Sequence, residues 1–183
     1  MNRILGGSNT KKHQYPWIVQ IHSGVKADGN LGSFGGGSII SPRFILTAAH
    51  NCDYDHDNDE GVNTPNIYYS PHQMRVFVGA HLTLIHEKRW PAPEHLGKAK
   101  TVQDIIIHDQ YNPANSNHHD FALLKLESAI RYNNKVGPIC LPSSLFDQGY
   151  YNQYTGDWAK AIGWGTTTGT TNIYSFIVKC SLK

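Results

Sequence analysis

Long apolar runs are missing from this sequence. No stretch approaches the roughly 18 apolar residues a membrane-spanning helix needs, so no transmembrane segment is expected. A leader is also missing: Met1-Asn2-Arg3 is polar and short, and the signal peptide of any secreted parent is expected outside this chain. Cysteine is scarce and odd in number, with Cys52, Cys140 and Cys180. An odd count leaves at least one thiol without an internal partner. No C-x-x-C pair is present, which argues against a structural zinc site. Charged residues make up only 16%, with sixteen basic against fourteen acidic side chains. The basic residues are scattered rather than striped, so no nucleic-acid footprint is expected. No internal repeat is evident.

What is present suits one β domain. The 183 residues suffice for a single sizeable core. Hydrophobic residues reach 39%, well above a disordered composition. Seventeen Gly and nine Pro are spread along the chain, between short apolar runs, as in all-β domains. Trp17 to His22 starts apolar and then alternates, the pattern of a half-buried strand. A glycine-rich stretch, 32–37, follows. Ser38-Ile39-Ile40, a turn at Ser41-Pro42-Arg43, and Phe44 to Thr47 read as a hairpin. Ala48-Ala49-His50 suits one short helical turn. Strands are also expected at Met74 to Gly79, Val102 to Ile107, Phe121 to Leu126 (a buried one), Lys160 to Gly163 and Tyr174 to Cys180. Residues 53–66, 88–99 and 143–156 read as loops. Several strands at this spacing suggest a sandwich or barrel.

Two segments carry chemistry. The first is Leu46-Thr47-Ala48-Ala49-His50. The second is His119-Asp120 followed by Phe121-Ala122-Leu123-Leu124-Lys125-Leu126. In this order, about 70 residues apart, they resemble the histidine and aspartate segments of the chymotrypsin family of trypsin-like serine proteases, whose chain order is His, Asp, Ser. Further segments match in the same order. Arg3-Ile4-Leu5-Gly6-Gly7 resembles an activation site, where cleavage after Arg3 frees the amine of Ile4. Gly36-Gly37-Ser38-Ile39-Ile40-Ser41-Pro42-Arg43 resembles the approach to the histidine. Pro138-Ile139-Cys140-Leu141-Pro142 resembles the interdomain segment, and Gly163-Trp164-Gly165 a landmark early in the second barrel.

The resemblance implies an all-β fold, the chymotrypsin-like double antiparallel β-barrel, with the second barrel truncated. Residues 1–3 would be a remnant of the activation segment. Residues 4–183 would form a trypsin-like peptidase domain, incomplete at its C-terminus. The implied activity is serine endopeptidase hydrolysis of peptide bonds in proteins. His50 would be the general base and Asp120 the group that orients it and stabilises its imidazolium. The apolar run after Asp120 would shield its carboxylate. Polypeptide substrates and protein protease inhibitors are the implied partners, with neither nucleic acid nor membrane. The implied location is extracellular. No cofactor and no metal are implied.

The family's Gly-Asp-Ser-Gly-Gly nucleophile segment does not occur in these residues. After Asp120 the serines are Ser128, Ser143, Ser144, Ser175 and Ser181, none beside a glycine. The chain as given is therefore expected to be inactive, and the tail after about Thr166 to be poorly supported. Two readings stay open: a fragment of an active protease, or a non-catalytic binding protein on the same fold. A third, remote reading is a metal-binding β-protein.

The family commonly bridges a cysteine before Gly-Gly-Ser to one after the catalytic histidine. Gly35 holds the first position, and the second is expected at Cys52, pushed one place along by Asn51. That bridge cannot form. The acidic stretch Asp53 to Glu60 lacks the glycine and glutamate of an EF-hand, with Asn58 and Thr64 in their places, so it reads as a solvated loop. His118-His119-Asp120 invites a metal reading, weaker than the pairing of Asp120 with His50.

Overall fold

The computed structural model describes residues 8–25, 32–54, 68–83, 98–113, 118–141, 159–164, 175–176 and 178–182. Among these residues the elements are strands and two short 3-10 turns. They are β1 (Ser8–Asn9), β2 (Ile18–His22), β3 (Phe34–Ser41), β4 (Phe44–Thr47), β5 (Arg75–Val78), β6 (Leu82–Thr83), β7 (Lys98–Ile107), β8 (Ala122–Leu126), β9 (Ala159–Gly163), β10 (Ser175–Phe176) and β11 (Val178–Leu182). The 3-10 turns span Ala49–Cys52 and Pro71–Gln73.

Six strands close a barrel in the order β2-β3-β4-β8-β7-β5, with every neighbouring pair antiparallel. Closure leaves the barrel without an open edge. Side chains alternate in and out, as the pleat demands. Along β8, Ala122, Leu124 and Leu126 point inward and are buried. Across the β4–β8 pair, Ile45 faces Leu124, and Val19, Ile21, Ile39 and Val76 join them in the core. Fully burying a Val, Leu or Ile side chain contributes about 1.5–3 kcal/mol, so this interior dominates the stability of the barrel.

The expected hairpin forms. Ser41 and Phe44 pair at the turn of β3 and β4, and the Ser41 hydroxyl accepts from the Phe44 N–H at 3.2 Å. Arg43 pins the turn to the end of β8, donating to the Leu126 carbonyl at 3.0 Å and the Glu127 carbonyl at 3.1 Å.

Residues 34–37 of the glycine-rich stretch open the eight-residue β3. Two expectations are corrected. Strand β2 is buried along its whole length rather than half-buried. Its inner face meets the core. Its outer face is covered by a second cluster in which Tyr15, Ile18, Phe77, Ala80 and Trp164 pack together. The Trp164 indole N–H donates to the His81 carbonyl at 3.2 Å, fixing that cover. Finally, the run after Asp120 is not uniformly buried, because Phe121 is 57% exposed.

Beyond the barrel, β1, β11 and β9 form a three-stranded antiparallel sheet with β11 central. Lys160 to Gly163, expected as a strand, lies within β9. The single strand expected from Tyr174 to Cys180 is two, β10 and β11, and β10 pairs with β6. The segment 178–182, expected to lack support, pairs along its length with β9 and, at Val178 and Lys179, with β1 as well. The all-β, chymotrypsin-like architecture is thus present as one closed barrel and an adjoining sheet. Among the described residues no helix is long and apolar enough to cross a membrane.

Candidate active site

His50 sits in the 3-10 turn Ala49–Cys52, immediately after β4. Asp120 lies two residues before β8, β4's partner in the barrel. The pair Thr47–Ala122 ends the β4–β8 ladder. Each side chain leaves its strand within three residues of that rung, so the barrel brings together groups 70 positions apart.

Their contact is double. The His50 ring Nδ1 lies 2.6 Å from Asp120 Oδ2. The His50 backbone N–H donates to Asp120 Oδ1 at 2.9 Å. One carboxylate therefore holds both the ring and the backbone of the same residue. A carboxylate accepting from Nδ1–H places the neutral ring's lone pair on Nε2. The side chains of His50 and Asp120 are 39% and 24% exposed. The ring is thus open to a reactant while the carboxylate is mostly covered. That arrangement suits a general base with a fixed tautomer.

The backbone before Asp120 is unusual. His119 adopts φ of 55°, the left-handed region that non-glycine residues seldom occupy. Its carbonyl accepts from the Phe121 N–H at 2.7 Å, and its ring stacks on His108 with centroids 4.9 Å apart. This tight turn re-aims the chain, presenting Asp120 to His50 before β8 begins. In the sequence nothing but its place beside Asp120 and the apolar run marks His119 for this backbone role.

Beneath the pair lie Cys52 and Tyr111, both buried. Burial, then the negative charges of Asp120 and Asp53, push the Cys52 thiol up to about 12. Burial chiefly, and the same carboxylates, raise the Tyr111 phenol as well. Both groups therefore stay neutral, leaving His50 as the partner of the Asp120 charge.

Gly35 is faced by Asn51, not by Cys52. The Asn51 side chain reaches into the space above Gly35, and its amide donates to the Thr47 hydroxyl at 3.0 Å. The Thr47 hydroxyl in turn donates to the Gly36 carbonyl at 2.8 Å, and the Ser23 hydroxyl donates to the Asn51 carbonyl. Asn51 therefore takes the place expected for Cys52, and Cys52 turns into the barrel core. Cys52 and Cys140 are both free thiols.

The expected activation residues Arg3 and Ile4 lie outside the described residues, as does the acidic stretch from 55 onward. His118 and His119 contact each other edge-on at 6.2 Å. Among the described residues, no three His, Cys, Asp or Glu side chains cluster closely enough to hold a metal ion.

The family model described as Trypsin matches residues 4–181. Curated relatives include coagulation factor XI from Bos taurus, 37% identical over 164 residues, covering 89% of this chain and 21% of that protein. Venom serine protease 34 from Apis mellifera is 29% identical over 185 residues, covering 100% of this chain and 39% of that protein. Complement C1s subcomponent from Rattus norvegicus is 31% identical over 177 residues, covering 93% and 21%. A solved structure described as "Structure of GrC" superposes with a TM-score of 0.68 at 26% identity, covering 97% of this chain and 64% of that one. The chain spans between about a fifth and two fifths of the length of these curated relatives. The chain belongs to the trypsin family.

Proposed function

We propose that this trypsin-family chain is the part of a secreted serine endopeptidase that carries the general base, His50, and its orienting carboxylate, Asp120. The 2.6 Å contact between His50 Nδ1 and Asp120 Oδ2 carries this reading. In the proposed reaction His50 Nε2 takes the proton of a serine hydroxyl as that oxygen attacks a peptide carbonyl. It then gives the proton to the leaving amine. Asp120 holds Nδ1–H throughout and stabilises the transient imidazolium. The substrates are polypeptides, and protein protease inhibitors are further partners. Cleavage after Arg3 would free the Ile4 amine to activate the enzyme. Relatives named for venom, coagulation and complement support an extracellular location.

The serine is the part these 183 residues do not supply. No Gly-Asp-Ser-Gly-Gly segment occurs in them, and Ser128 is engaged as an acceptor for the Lys100 ammonium at 2.9 Å. A polypeptide of these residues alone is accordingly inactive. A non-catalytic binding protein on the same fold shares every described residue, so one experiment separates the two.

That experiment is fluorophosphonate labelling and casein hydrolysis by the product of the complete transcript, beside the 183-residue chain. The expected result is serine labelling and hydrolysis by the complete product only, both lost in His50→Ala. A complete product that binds polypeptide without labelling would replace the enzyme reading with the binding one.

A further inference from the structure

The inward faces of β5 and β7 carry an anomaly at one end of the barrel. Lys98 lies directly opposite Val78, and Lys100 directly opposite Val76. Directly paired residues share a face of the sheet, and Val76 and Val78 belong to the barrel core. Two lysines therefore rise from the apolar side of the sheet, at the barrel's mouth. Arg131, on the segment after β8, completes the rim of a cleft of about 650 Å³. Its floor is apolar, made by Val78, Ile130 and Val136, all members of the core.

One of the three cations is held in place. The Lys100 ammonium donates to the Ser128 hydroxyl and the Ala129 carbonyl, each at 2.9 Å. Among the described residues, none of Lys98, Lys100 and Arg131 forms an ion pair. The neighbouring Glu127 carboxylate already accepts from the Thr101 hydroxyl at 2.6 Å. Burial first, then the charges of Lys98 and Arg131, lower the Lys100 pKa from its usual value. Among the described residues, the rim is therefore a set of like charges with no ion-paired counter-ion, around an apolar hollow.

We propose that this cleft binds an acidic peptide segment of a partner protein, with an apolar side chain seated on Val78, Ile130 and Val136 and flanking carboxylates on Lys98, Lys100 and Arg131. An apolar floor beneath three convergent cations matches that pattern. A sulfated polysaccharide would instead need a polar, extended basic track. None of the cleft's residues takes part in the His50–Asp120 contact, so the proposal stands apart from the catalytic reading.

The test uses the 183-residue chain and a capped, fluorescein-labelled heptapeptide with one leucine between two pairs of glutamates. Fluorescence anisotropy is expected to show saturable binding that weakens with added salt. The double variant Lys98→Gln plus Arg131→Gln is expected to weaken it about tenfold or more. Both side chains are exposed, so the fold is expected to persist, read as an unchanged circular dichroism melt. Replacing the peptide's leucine by serine is expected to weaken binding by a similar factor. Equal binding by the double variant, equal binding of the serine peptide, no binding at all, or tighter binding of a heparin-derived hexasaccharide would each overturn the proposal. Should the double variant misfold, Lys98→Gln alone is read by the same criterion.

Discussion

The Asn51 side chain occupies the volume that a Cβ on Gly35 would fill, its Oδ1 2.5 Å and its Cγ 2.6 Å from that position. A glycine and a polar side chain thus stand where the family commonly places a disulfide, and each fits only because of the other. Gly35→Ala is expected to destabilise the chain by about 1–3 kcal/mol, the range for overpacking. The double change Gly35→Cys with Asn51→Cys puts two cysteines within bridging reach. The new bond closes a loop of about fifteen residues and is expected to add about 3 kcal/mol. Melting temperature with and without reductant, together with a free-thiol count, checks both expectations.

The thiols should separate by burial. Cys52 is buried with its pKa pushed up to about 12, whereas Cys140 is exposed. In a Cys180→Ser background, an alkylating reagent at pH 8 should modify Cys140 quickly and Cys52 only after unfolding. Rapid modification of both thiols in the folded chain would show that the core around Cys52 opens readily.

His22 should make the barrel acid-sensitive. It is 6% exposed, packed between Phe34 and Phe77 at 5.3 Å from each, and burial lowers its pKa from 6.5 to about 4. Its folded pKa lies below the unfolded one, so the unfolded chain binds the extra proton first. Stability should therefore be unaffected by this group above about pH 6.5 and fall as the pH drops toward 4, by up to about 3 kcal/mol. Neither ring nitrogen has a hydrogen-bond partner among the described residues. An unsatisfied buried polar group costs about 1–3 kcal/mol, so His22→Leu should raise stability at pH 7 as well as flatten the acid limb. Denaturant melts at pH 7.5 and 4.5 read both effects.

Asp120 should govern the tautomer of His50. In Asp120→Asn the amide can present its N–H to the ring, so Nδ1 becomes the acceptor and Nε2 carries the proton. Nitrogen-15 imidazole shifts of the 183-residue chain should show Nδ1–H in the native protein and the opposite tautomer in the variant. In a complete protein with its nucleophile, the same change should lower kcat by about 10⁴-fold. An unchanged tautomer would mean that Asp120 does not orient the ring.

Much of the barrel was legible beforehand, because its signals are local. Alternation marked Met74 to Gly79 and the strand that became β8, and Ser41-Pro42-Arg43 marked a hairpin turn. Outer packing was not legible. Nothing near Ile18 in the chain announces that Phe77 and Trp164 will cover its strand. That the glycine stretch 34–37 lies along β3 was likewise not written in its own residues, because glycine carries no side chain to mark a strand face. The fate of Cys52 was missed for a similar reason. One residue of register decides whether a side chain faces Gly35 or the core, and register is a property of the assembled turn.

Ordered motifs and two-residue periodicity, written along the chain, were enough to point to the family, to the β class and to His50 and Asp120 as candidates. Only folding settles that the two groups meet at 2.6 Å, that Asn51 rather than a thiol fills the space over Gly35, and that two lysines stand opposite core valines on one sheet face. Each of these depends on which residues stand opposite one another across closed strands, and pairing between distant segments is set only when the barrel shuts.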